Sequence, residues 1–422
     1  MSRIKRIRLF GMLILTALLL ASCSGGNPEP DKLSGVLKIA MMNSFGYYGT
    51  AGRILPLHFP NVTFDVVNMA PGTPDQVMEQ IDQSKPDIVM FDKPEIYVKM
   101  LEQGSLLDLN TRIKQDSFEL EQMHAPIVHY LKDISGGGVF GLAPVFNSTA
   151  IYYNIDLFNK FGIPYPTDQV SWEELYRLAA RFPTSEGDTK IFGFRYYGTI
   201  SGQLFLFAQA EHLSYYDTTM KNLQMNTEPM RRLFQSIMDW NKKGIVDTNL
   251  TDQFLTGNVA MTLEESSYIT TLKEKGKGIN WSIVTRPSFS QDRGISHSIR
   301  LDNIYSIYTK SASPDLAWQI LRFVNGDAVA ELQFQSLSSR VSKSSKERSG
   351  VSLEPFYRLN MDTFGTYENI RRNELPGNYA ADLSKLINLK ADAVLKGKLL
   401  PDEALEQIQT EGGLLLRSAN AP

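Results

Sequence analysis

The sequence predicts an α/β protein built from two lobes, and three observations support this prediction. Strand and helix patterns alternate between residues 36 and 103, which is typical of a parallel sheet covered by helices. The chain has 422 residues, of which 42% are hydrophobic, so it can build the large core that two domains or lobes need. Its single cysteine lies close to the N-terminus, so no disulfide framework takes the place of that core.

The N-terminal segment has the layout of an export signal. Basic residues, among them Arg3 and Arg8, precede an uncharged stretch over residues 9–21. At about 1.5 Å per residue, a helix of that stretch covers roughly 20 Å, which is less than the roughly 30 Å hydrocarbon core of a bilayer. We therefore expect residues 1–22 to be a signal peptide that is removed after export.

The signal ends in Leu20-Ala21-Ser22-Cys23, which resembles the lipobox of bacterial lipoproteins. The resemblance implies that the thiol of Cys23 carries a diacylglycerol group and becomes the first residue after cleavage. Residues 23–35, rich in Gly, Pro, Ser and charge, then form a flexible tether. The alternative is an ordinary cleavage nearby that discards Cys23, but an Ala-x-Ala motif is absent.

Composition and motif content argue against several classes of protein. A net charge of −3 from interspersed acids and bases provides no broad positive face for nucleic acid. Beyond the signal, no uninterrupted apolar run approaches eighteen residues, so we expect a tethered rather than a membrane-spanning protein. Neither a phosphate-binding GxxxxGK[ST] loop nor a GxSxG elbow occurs. The histidines fit no zinc motif, and we expect no metal or cofactor: His58, His124, His129, His212 and His297.

The first predicted layer contains three strands separated by helices. The strands are "VLKIAMM" (36–42), "NVTFDVVN" (61–68) and "PDIVMFD" (86–92), and the helices cover 73–83 and 94–103. Ligands of parallel sheets gather beyond the carboxyl ends of the strands. Two such ends are "NSFGYYG" (43–49) and "FDKP" (91–94), both of which are polar and aromatic.

The middle and C-terminal parts add further helices. Ser171 and Glu174 have the spacing of a capping box at the start of a helix. The helical spacing of the following apolar residues predicts core positions: Trp172, Leu175, Leu178, Ala179 and Phe182. Residues 304–324 predict a strand, a turn and an amphipathic helix, and a final helix is predicted over 401–409.

Six passages together resemble the family 1 extracellular solute-binding proteins, which include the maltodextrin binders. They are "IYYNIDLFNKFGI" (151–163), "SWEELYRLA" (171–179), "FLTGNVAMTL" (254–263), "NWSIVTRPSF" (280–289), "KSASPDLAWQILRFV" (310–324) and "GKLLPDEALEQIQ" (397–409). The resemblance implies a periplasmic-binding-protein type II fold, with two α/β lobes joined by a hinge of several segments. It places the first lobe at 36–146 plus 290–338 and the second at 147–289 plus 339–422.

The function implied by this resemblance is that of a substrate-binding lipoprotein of an ABC importer rather than an enzyme. Such a protein is a monomer, anchored at the extracytoplasmic face of the cell membrane, that presents its closed form to permease subunits. Its ligand is a small polar solute, and a carbohydrate is favoured. Closure of a two-state hinge from 1:99 to 99:1 takes about 5.5 kcal/mol of differential binding. A micromolar ligand supplies about 8 kcal/mol in total.

The resemblance also implies a set of ligand-binding residues around the cleft. They are Asn43, Ser44, Tyr47, Phe91, Asp92, Asn147, Tyr196, Tyr197, Glu264, Glu265, Asn303, Tyr305 and Tyr379. Aromatic faces pack against the C–H face of a sugar ring, while carboxylates and amides bind its hydroxyl groups. This mixture of residue types suits a carbohydrate.

One departure from the family and two alternatives remain open. Oligosaccharide-binding relatives commonly present tryptophan in the cleft, whereas Trp172, Trp240 and Trp318 are predicted on helices and Trp281 in a strand, all as structural residues. A smaller or different polar solute is therefore an alternative to an oligosaccharide. The protein could also be a sensory or scaffold lipoprotein that presents its closed form to a receptor.

An exported glycan-processing enzyme is the less favoured alternative. It would need two carboxylates about 5 to 10 Å apart across one glycosidic bond. Glu264 and Glu265 are an acidic pair, but neighbouring residues of a strand or helix point apart.

Overall fold

The computed structural model describes residues 30–419, apart from residues 43, 250, 277, 297–298, 302, 333–335 and 342–345. The predicted signal peptide (1–22), residues 23–29 of the predicted tether with Cys23, and Asn43 therefore lie outside the described residues. Within the described part of the chain, no helix is both long enough and apolar enough to cross a membrane.

Strands and helices alternate through the described chain. The strands are β1 (Gly35–Met41), β2 (Val62–Asn68), β3 (Ile88–Phe91), β4 (Val145–Phe146), β5 (Thr149–Asn154), β6 (Ser185–Glu186), β7 (Thr189–Lys190), β8 (Phe194–Arg195), β9 (Val246–Asp247), β10 (Met261–Glu265), β11 (Trp281–Thr285), β12 (Ile295–Ser296), β13 (Ile304–Ile307), β14 (Leu337–Ser338), β15 (Glu347–Arg348), β16 (Val351–Ser352) and β17 (Asn360–Met361). The α-helices are α1 (Ser44–Thr50), α2 (Leu55–His58), α3 (Pro74–Ser84), α4 (Pro94–Glu102), α5 (Asn110–Gln115), α6 (Ala125–Asp133), α7 (Ile155–Phe161), α8 (Trp172–Ala179), α9 (Ile200–Ala210), α10 (Glu228–Lys242), α11 (Tyr268–Lys275), α12 (Pro314–Val324), α13 (Asp327–Ala330), α14 (Glu354–Tyr357), α15 (Phe364–Asn373), α16 (Tyr379–Leu395) and α17 (Pro401–Ala419).

The sheet of the first lobe has the strand order β13-β3-β1-β2. β1 runs parallel to β2 and β3, whereas β13 is antiparallel to β3. The three strands predicted in this layer are confirmed, with ends that differ by one or two residues. The carboxyl ends of β1 and β3 and the start of β13 therefore lie at one edge of this sheet, because Ile304 pairs with Phe91.

The sheet of the second lobe has the order β11-β5-β10-β8-β9. β5 is antiparallel to both of its neighbours, and β8 is parallel to β10 and β9. Helices α8, α9 and α10 share a hydrophobic core with this sheet, in which the ring centroids of Trp172 and Phe207 are 4.2 Å apart. The core fixes the position of β8, which carries part of the site described below.

Each sheet combines segments that are distant in the sequence, which confirms the predicted two-lobed α/β fold. β13 joins a sheet whose other strands precede residue 92, while residues 149–285 form the second sheet. The chain therefore passes between the sheets more than once. Among the crossing segments, β4 pairs with β14, and the backbones of Asn147 and Arg300 exchange hydrogen bonds of 2.9 and 2.8 Å. The predicted lobe boundaries stay predictions.

The predicted helix signals are confirmed where they depend on local sequence. The helices predicted over 73–83 and 94–103 are α3 and α4. At the start of α8, Glu174 N donates to Ser171 Oγ at 3.2 Å, and Ser171 N donates to Glu174 Oε2 at 2.8 Å. The predicted core residues of this segment are buried, except Leu178, which is partly buried. The four tryptophans lie on the predicted elements.

Two segments differ from the prediction because tertiary packing overrides local signals. The segment after β1 is a helix, α1, rather than a loop, and its Tyr47 is buried in the core. The last helix, α17, continues from Pro401 to Ala419 instead of ending at Gln409. Gly412 lies inside it, where a Cβ atom would come within 2.8 Å of a side-chain atom of Leu223, so close packing requires glycine at this position.

His124 is a buried histidine next to the crossing segments. Its ring stacks on Phe146 and meets the ring of Tyr357 edge-on, with centroid distances of 5.4 and 5.2 Å. Its Nε2 atom has no hydrogen-bond partner in the described part of the chain. Burial lowers the pKa of His124 to about 4.

We expect this histidine to make the fold sensitive to acid. The unfolded chain binds a proton at His124 near pH 6.5, whereas the folded chain binds it near pH 4, so stability is full above pH 6.5 and falls as the pH decreases towards 4. The loss amounts to about 3 kcal/mol. Urea denaturation at pH 7 and pH 4 should show a smaller acid loss for His124→Phe than for the wild type. The exposed His129 of the same helix supplies the control His129→Phe, and an equal acid loss in all three proteins would contradict this expectation.

Candidate ligand-binding cleft

A cavity of about 380 Å³ lies where the lobes meet, and we call it the interlobe cavity. It is lined by Asp92, Lys93, Pro94, Glu95 and Tyr130, by Gln209, by Ser296, Ile299, Arg300 and Leu301, and by Met361, Asp362, Gly365, Thr366 and Asn369. These residues come from the carboxyl end of β3 with α4 and α6, from α9, from a crossing segment, and from β17 with α15. A ligand in this cavity would therefore contact both lobes.

Helix α15 contacts elements of both lobes beside this cavity. On the first-lobe side, Tyr130 Oη and Thr366 Oγ1 form a hydrogen bond of 2.6 Å. On the second-lobe side, Ser214 Oγ donates to Glu368 Oε2 at 2.7 Å, and Arg371 Nη2 donates to the carbonyl oxygen of Asp217 at 2.6 Å. A change in the angle between the lobes would have to break one of these two sets of contacts.

The interlobe cavity carries charges of both signs. Acidic side chains are supplied by Asp92, Glu95 and Asp362, and basic side chains by Lys93 and Arg300. Such mixed donors and acceptors suit a solute that presents hydroxyl groups.

A second cavity of about 380 Å³ opens in the second lobe, and we call it the acidic cavity. It is lined by Arg195, Tyr196, Tyr197, Asp252, Thr262, Leu263 and Glu264. β8 and β10 place Arg195 and Glu264 close together, because Arg195 pairs with Thr262 in the sheet. Tyr197 is 62% exposed, and its ring lies 5.9 Å from the guanidinium carbon of Arg195.

Arg195 is surrounded by three carboxylates. Its Nη1 atom lies 3.2 Å from Glu264 Oε1, and its Nε atom lies 3.7 Å from Asp252 Oδ1 and 3.8 Å from Asp247 Oδ2. The side chain of Arg195 is only 9% exposed and that of Asp247 is fully buried. These charges therefore interact in a partly dehydrated environment, where electrostatic interactions are stronger than in water.

Glu264 is the carboxylate of this group with a perturbed titration. Burial raises its pKa to about 7, although the positive charge of Arg195 opposes the shift. Thr262 Oγ1 and Arg195 Nη1 both donate to Oε1 of Glu264, at 3.1 and 3.2 Å. Within the described residues, Oε2 of Glu264 accepts no hydrogen bond.

The structure brings several of the predicted ligand residues to these cavities. Asp92 lines the interlobe cavity, and Tyr196, Tyr197 and Glu264 line the acidic cavity. Glu265 lies 3.6 Å from Arg300, whose backbone is paired with that of Asn147. Arg300 thus connects these residues to the interlobe cavity.

The other predicted ligand residues lie elsewhere. Tyr47, Phe91, Tyr305 and Tyr379 are between 0% and 3% exposed and belong to the hydrophobic cores, so their contact with a ligand stays a prediction.

Asn303 and Ser44 lie near the carboxyl-terminal edge of the first sheet. Asn303 is buried, with its side chain packed closely against Gly46, and Ser44 is exposed. Asn43 lies outside the described residues. Roles for these residues in ligand binding also stay predictions.

Sequence reasoning missed Arg195, Asp252 and Arg300. Arg195 directly precedes Tyr196 on a short strand, so a charged residue within the otherwise apolar "FGFRYYG" was a usable signal. Asp252 and Arg300 lie in irregular segments and reach the cavities only through tertiary structure.

A profile of the family described as bacterial extracellular solute-binding protein matches residues 58–345. The chain belongs to this family. The family binds solutes, which agrees with two cavities that contain no assembled catalytic motif among the residues that line them.

Solved structures of other bacterial proteins share the fold of this solute-binding protein. The sugar-binding protein MalE from Xanthomonas citri has a TM-score of 0.64 and 13% identity, over 91% of this chain and 98% of that chain. An ABC substrate-binding protein from Listeria monocytogenes in complex with cycloalternan has a TM-score of 0.58 and 15% identity, over 91% and 100%. The GacH receptor of Streptomyces glaucescens, solved without ligand and with acarbose, has a TM-score of 0.57 and 18% identity, over 92% and 100%.

Proposed function

We propose that this solute-binding protein is the substrate receptor of an ABC importer and captures a carbohydrate by closure of its two lobes. The observation that carries the proposal is the interlobe cavity, whose walls come from elements of both lobes. A lipid on Cys23 holds the receptor at the extracytoplasmic face of the cell membrane, next to its permease subunits, and the receptor acts as a monomer.

Closure depends on simultaneous contact with the two lobes. A ligand that touched only one lobe would leave the hinge equilibrium unchanged, because it would bind the open and closed forms equally. A ligand between Asp92 on one side and Asp362 on the other binds the closed form more tightly. About 5.5 kcal/mol of such differential binding converts a mostly open population into a mostly closed one.

The chemistry of the cleft supports a carbohydrate. Carboxylates and arginines in both cavities offer paired hydrogen bonds to neighbouring hydroxyl groups. The exposed ring of Tyr197 offers a flat apolar face for the C–H side of a pyranose. Relatives of the same fold bind cycloalternan and acarbose, which are carbohydrates or carbohydrate-like.

A binding screen tests this proposal. We expect at least one sugar in a panel of mono- and oligosaccharides to raise the melting temperature by a few degrees, because a ligand at 100 times its dissociation constant adds about 2.7 kcal/mol of stability. The same sugar should reduce the radius of gyration measured by small-angle X-ray scattering, since the lobes close around it.

Amino acids, oligopeptides and polyamines serve as the comparison panel. A response confined to these solutes, or a sugar response with an unchanged scattering profile, would contradict carbohydrate capture by closure.

A further inference from the structure

The acidic cavity has more negative charge than its protein partners compensate. Asp247, Asp252 and Glu264 surround a single guanidinium, that of Arg195. In the described part of the chain, no other cation forms an ion pair with these three carboxylates. Like charges held close together in a partly buried site repel each other, so a further positive charge there would be stabilised.

One carboxylate oxygen is available to receive that charge. Asp247 is fully buried, and Oδ2 of Asp252 accepts a hydrogen bond of 2.6 Å from Tyr268 Oη. Oε2 of Glu264 accepts no hydrogen bond from the described residues, and Glu264 lines the cavity. It is therefore the acceptor that a ligand can reach most directly.

An aromatic surface lies next to this acceptor. Tyr197 lines the same cavity and exposes 62% of its surface. An aromatic face attracts both a cation and the C–H face of a sugar ring. The volume of about 380 Å³ falls within the range of about 300–1,000 Å³ that is typical of small-molecule sites.

We infer that the solute is an amine-bearing sugar whose ammonium group binds between Glu264 and Asp252 in the acidic cavity. This inference rests on the proposed capture of a carbohydrate and names the chemical class of that carbohydrate. The interlobe cavity, with its mixture of acids and bases, binds the neutral hydroxyl groups of the same solute. Arg300, which lines the interlobe cavity and contacts Glu265 beside Glu264, marks the boundary between the two regions.

Binding of an ammonium group should also release protons. The pKa of Glu264 is about 7 in the absence of ligand, so part of the population is protonated at neutral pH. A nearby ammonium group favours the ionised carboxylate and lowers this pKa, whereas a neutral sugar does not. Proton release is therefore expected to accompany the binding of an amino sugar, and it appears in calorimetry as a binding enthalpy that depends on the ionisation enthalpy of the buffer.

The experiment compares pairs of sugars that differ only in one amino group. The pairs are D-glucosamine with D-glucose, D-galactosamine with D-galactose, D-mannosamine with D-mannose, and the chitosan disaccharide with cellobiose. We expect at least one amino sugar to bind at least about tenfold more tightly than its neutral counterpart at pH 6.5, because a hydrogen bond between charged groups is stronger than one between neutral groups.

Variants locate the effect. Glu264→Gln should reduce the ratio of the two affinities to about threefold or less, since it removes one charge and keeps the shape of the side chain. Glu228→Gln, at an exposed glutamate of α10 that pairs with Arg232, is the matched control and should leave the ratio unchanged. Asp252→Asn serves the same purpose if the melting temperature of Glu264→Gln shows that this variant does not fold.

Each outcome decides between the two proposals. If a neutral sugar binds as tightly as its amino counterpart, or more tightly, the inference is wrong and carbohydrate capture stands. If an amino sugar binds more tightly but Glu264→Gln keeps the ratio, the assignment to the acidic cavity is wrong. If no member of any pair binds and no other sugar of the screen does, carbohydrate capture and the inference are both wrong.

Discussion

Replacing Arg195 with methionine is expected to lower the free energy of unfolding by about 3–5 kcal/mol. Arg195 is the single described cation that pairs with Asp247, which is fully buried, and it also pairs with Asp252 and Glu264. Methionine fills most of the space of the arginine stem but leaves three carboxylates without a counter-charge. Chemical denaturation at pH 8, where all three are ionised in the unfolded chain, measures the loss.

Two further variants separate charge from packing. Arg232→Met removes an arginine that is 68% exposed and lies 3.9 Å from Glu228, so its cost should stay below about 1 kcal/mol. Adding Asp247→Asn to Arg195→Met should restore part of the lost stability, because it removes the buried unpaired charge. Equal losses for the two arginine variants would show that the cluster around Arg195 does not support the fold.

The substitution Trp172→Ala is expected to cost about 3–5 kcal/mol. Trp172 is 2% exposed, at the first position of α8. Its ring centroid lies 4.2 Å from that of Phe207 on α9 and 6.0 Å from that of Phe194 on β8. The substitution would leave a cavity beneath the strand that carries Arg195, and surrounding side chains fill such cavities only in part.

Trp172→Phe should cost less than half as much as Trp172→Ala. Phenylalanine keeps a ring in contact with Phe207, and it removes the Nε1 donor, which has no hydrogen-bond partner in the described part of the chain. Leu414→Ala, at a residue of α17 that is 52% exposed, is a control that should change stability by less than about 0.5 kcal/mol. Thermal and urea denaturation of the three variants provide the comparison. Similar losses for alanine and phenylalanine would contradict the role assigned to packing.

Local features of the fold were predictable because their causes lie within a few residues. The capping box of Ser171 and Glu174 involves residues three positions apart, and the structure contains both of its hydrogen bonds. The strands of the first sheet were predictable from apolar runs of a few residues, because buried parallel strands have this pattern.

Packing decided the features that local patterns hid. The glycines around Tyr47 disguised α1, and Gly412 disguised the continuation of α17, since glycine disfavours helices when nothing else acts on it. The burial of Tyr47 and the close contact of Gly412 with Leu223 outweigh that preference.

The composition of the site shows the same division. Aromatic residues such as Phe91 and Tyr305 have the residue type of a sugar platform, yet they are buried in the structure. A sequence does not distinguish an aromatic residue in a core from one in a cleft, because the same apolar surface favours both positions. Tyr197 and Glu264, by contrast, do lie at a cavity.

The sequence by itself determined the alternation of strands and helices, the predicted export and tether segments, and the membership of a solute-binding family, because these depend on local patterns and on the order of motifs along the chain. Only the tertiary structure decided which charges meet. Arg195, Asp247, Asp252 and Glu264 come from separate positions in the sequence, and the sheet that joins β8, β9 and β10 brings their side chains within 4 Å of one another at Arg195. The physical reason is that electrostatic energy depends on distance and burial, which are properties of the folded chain.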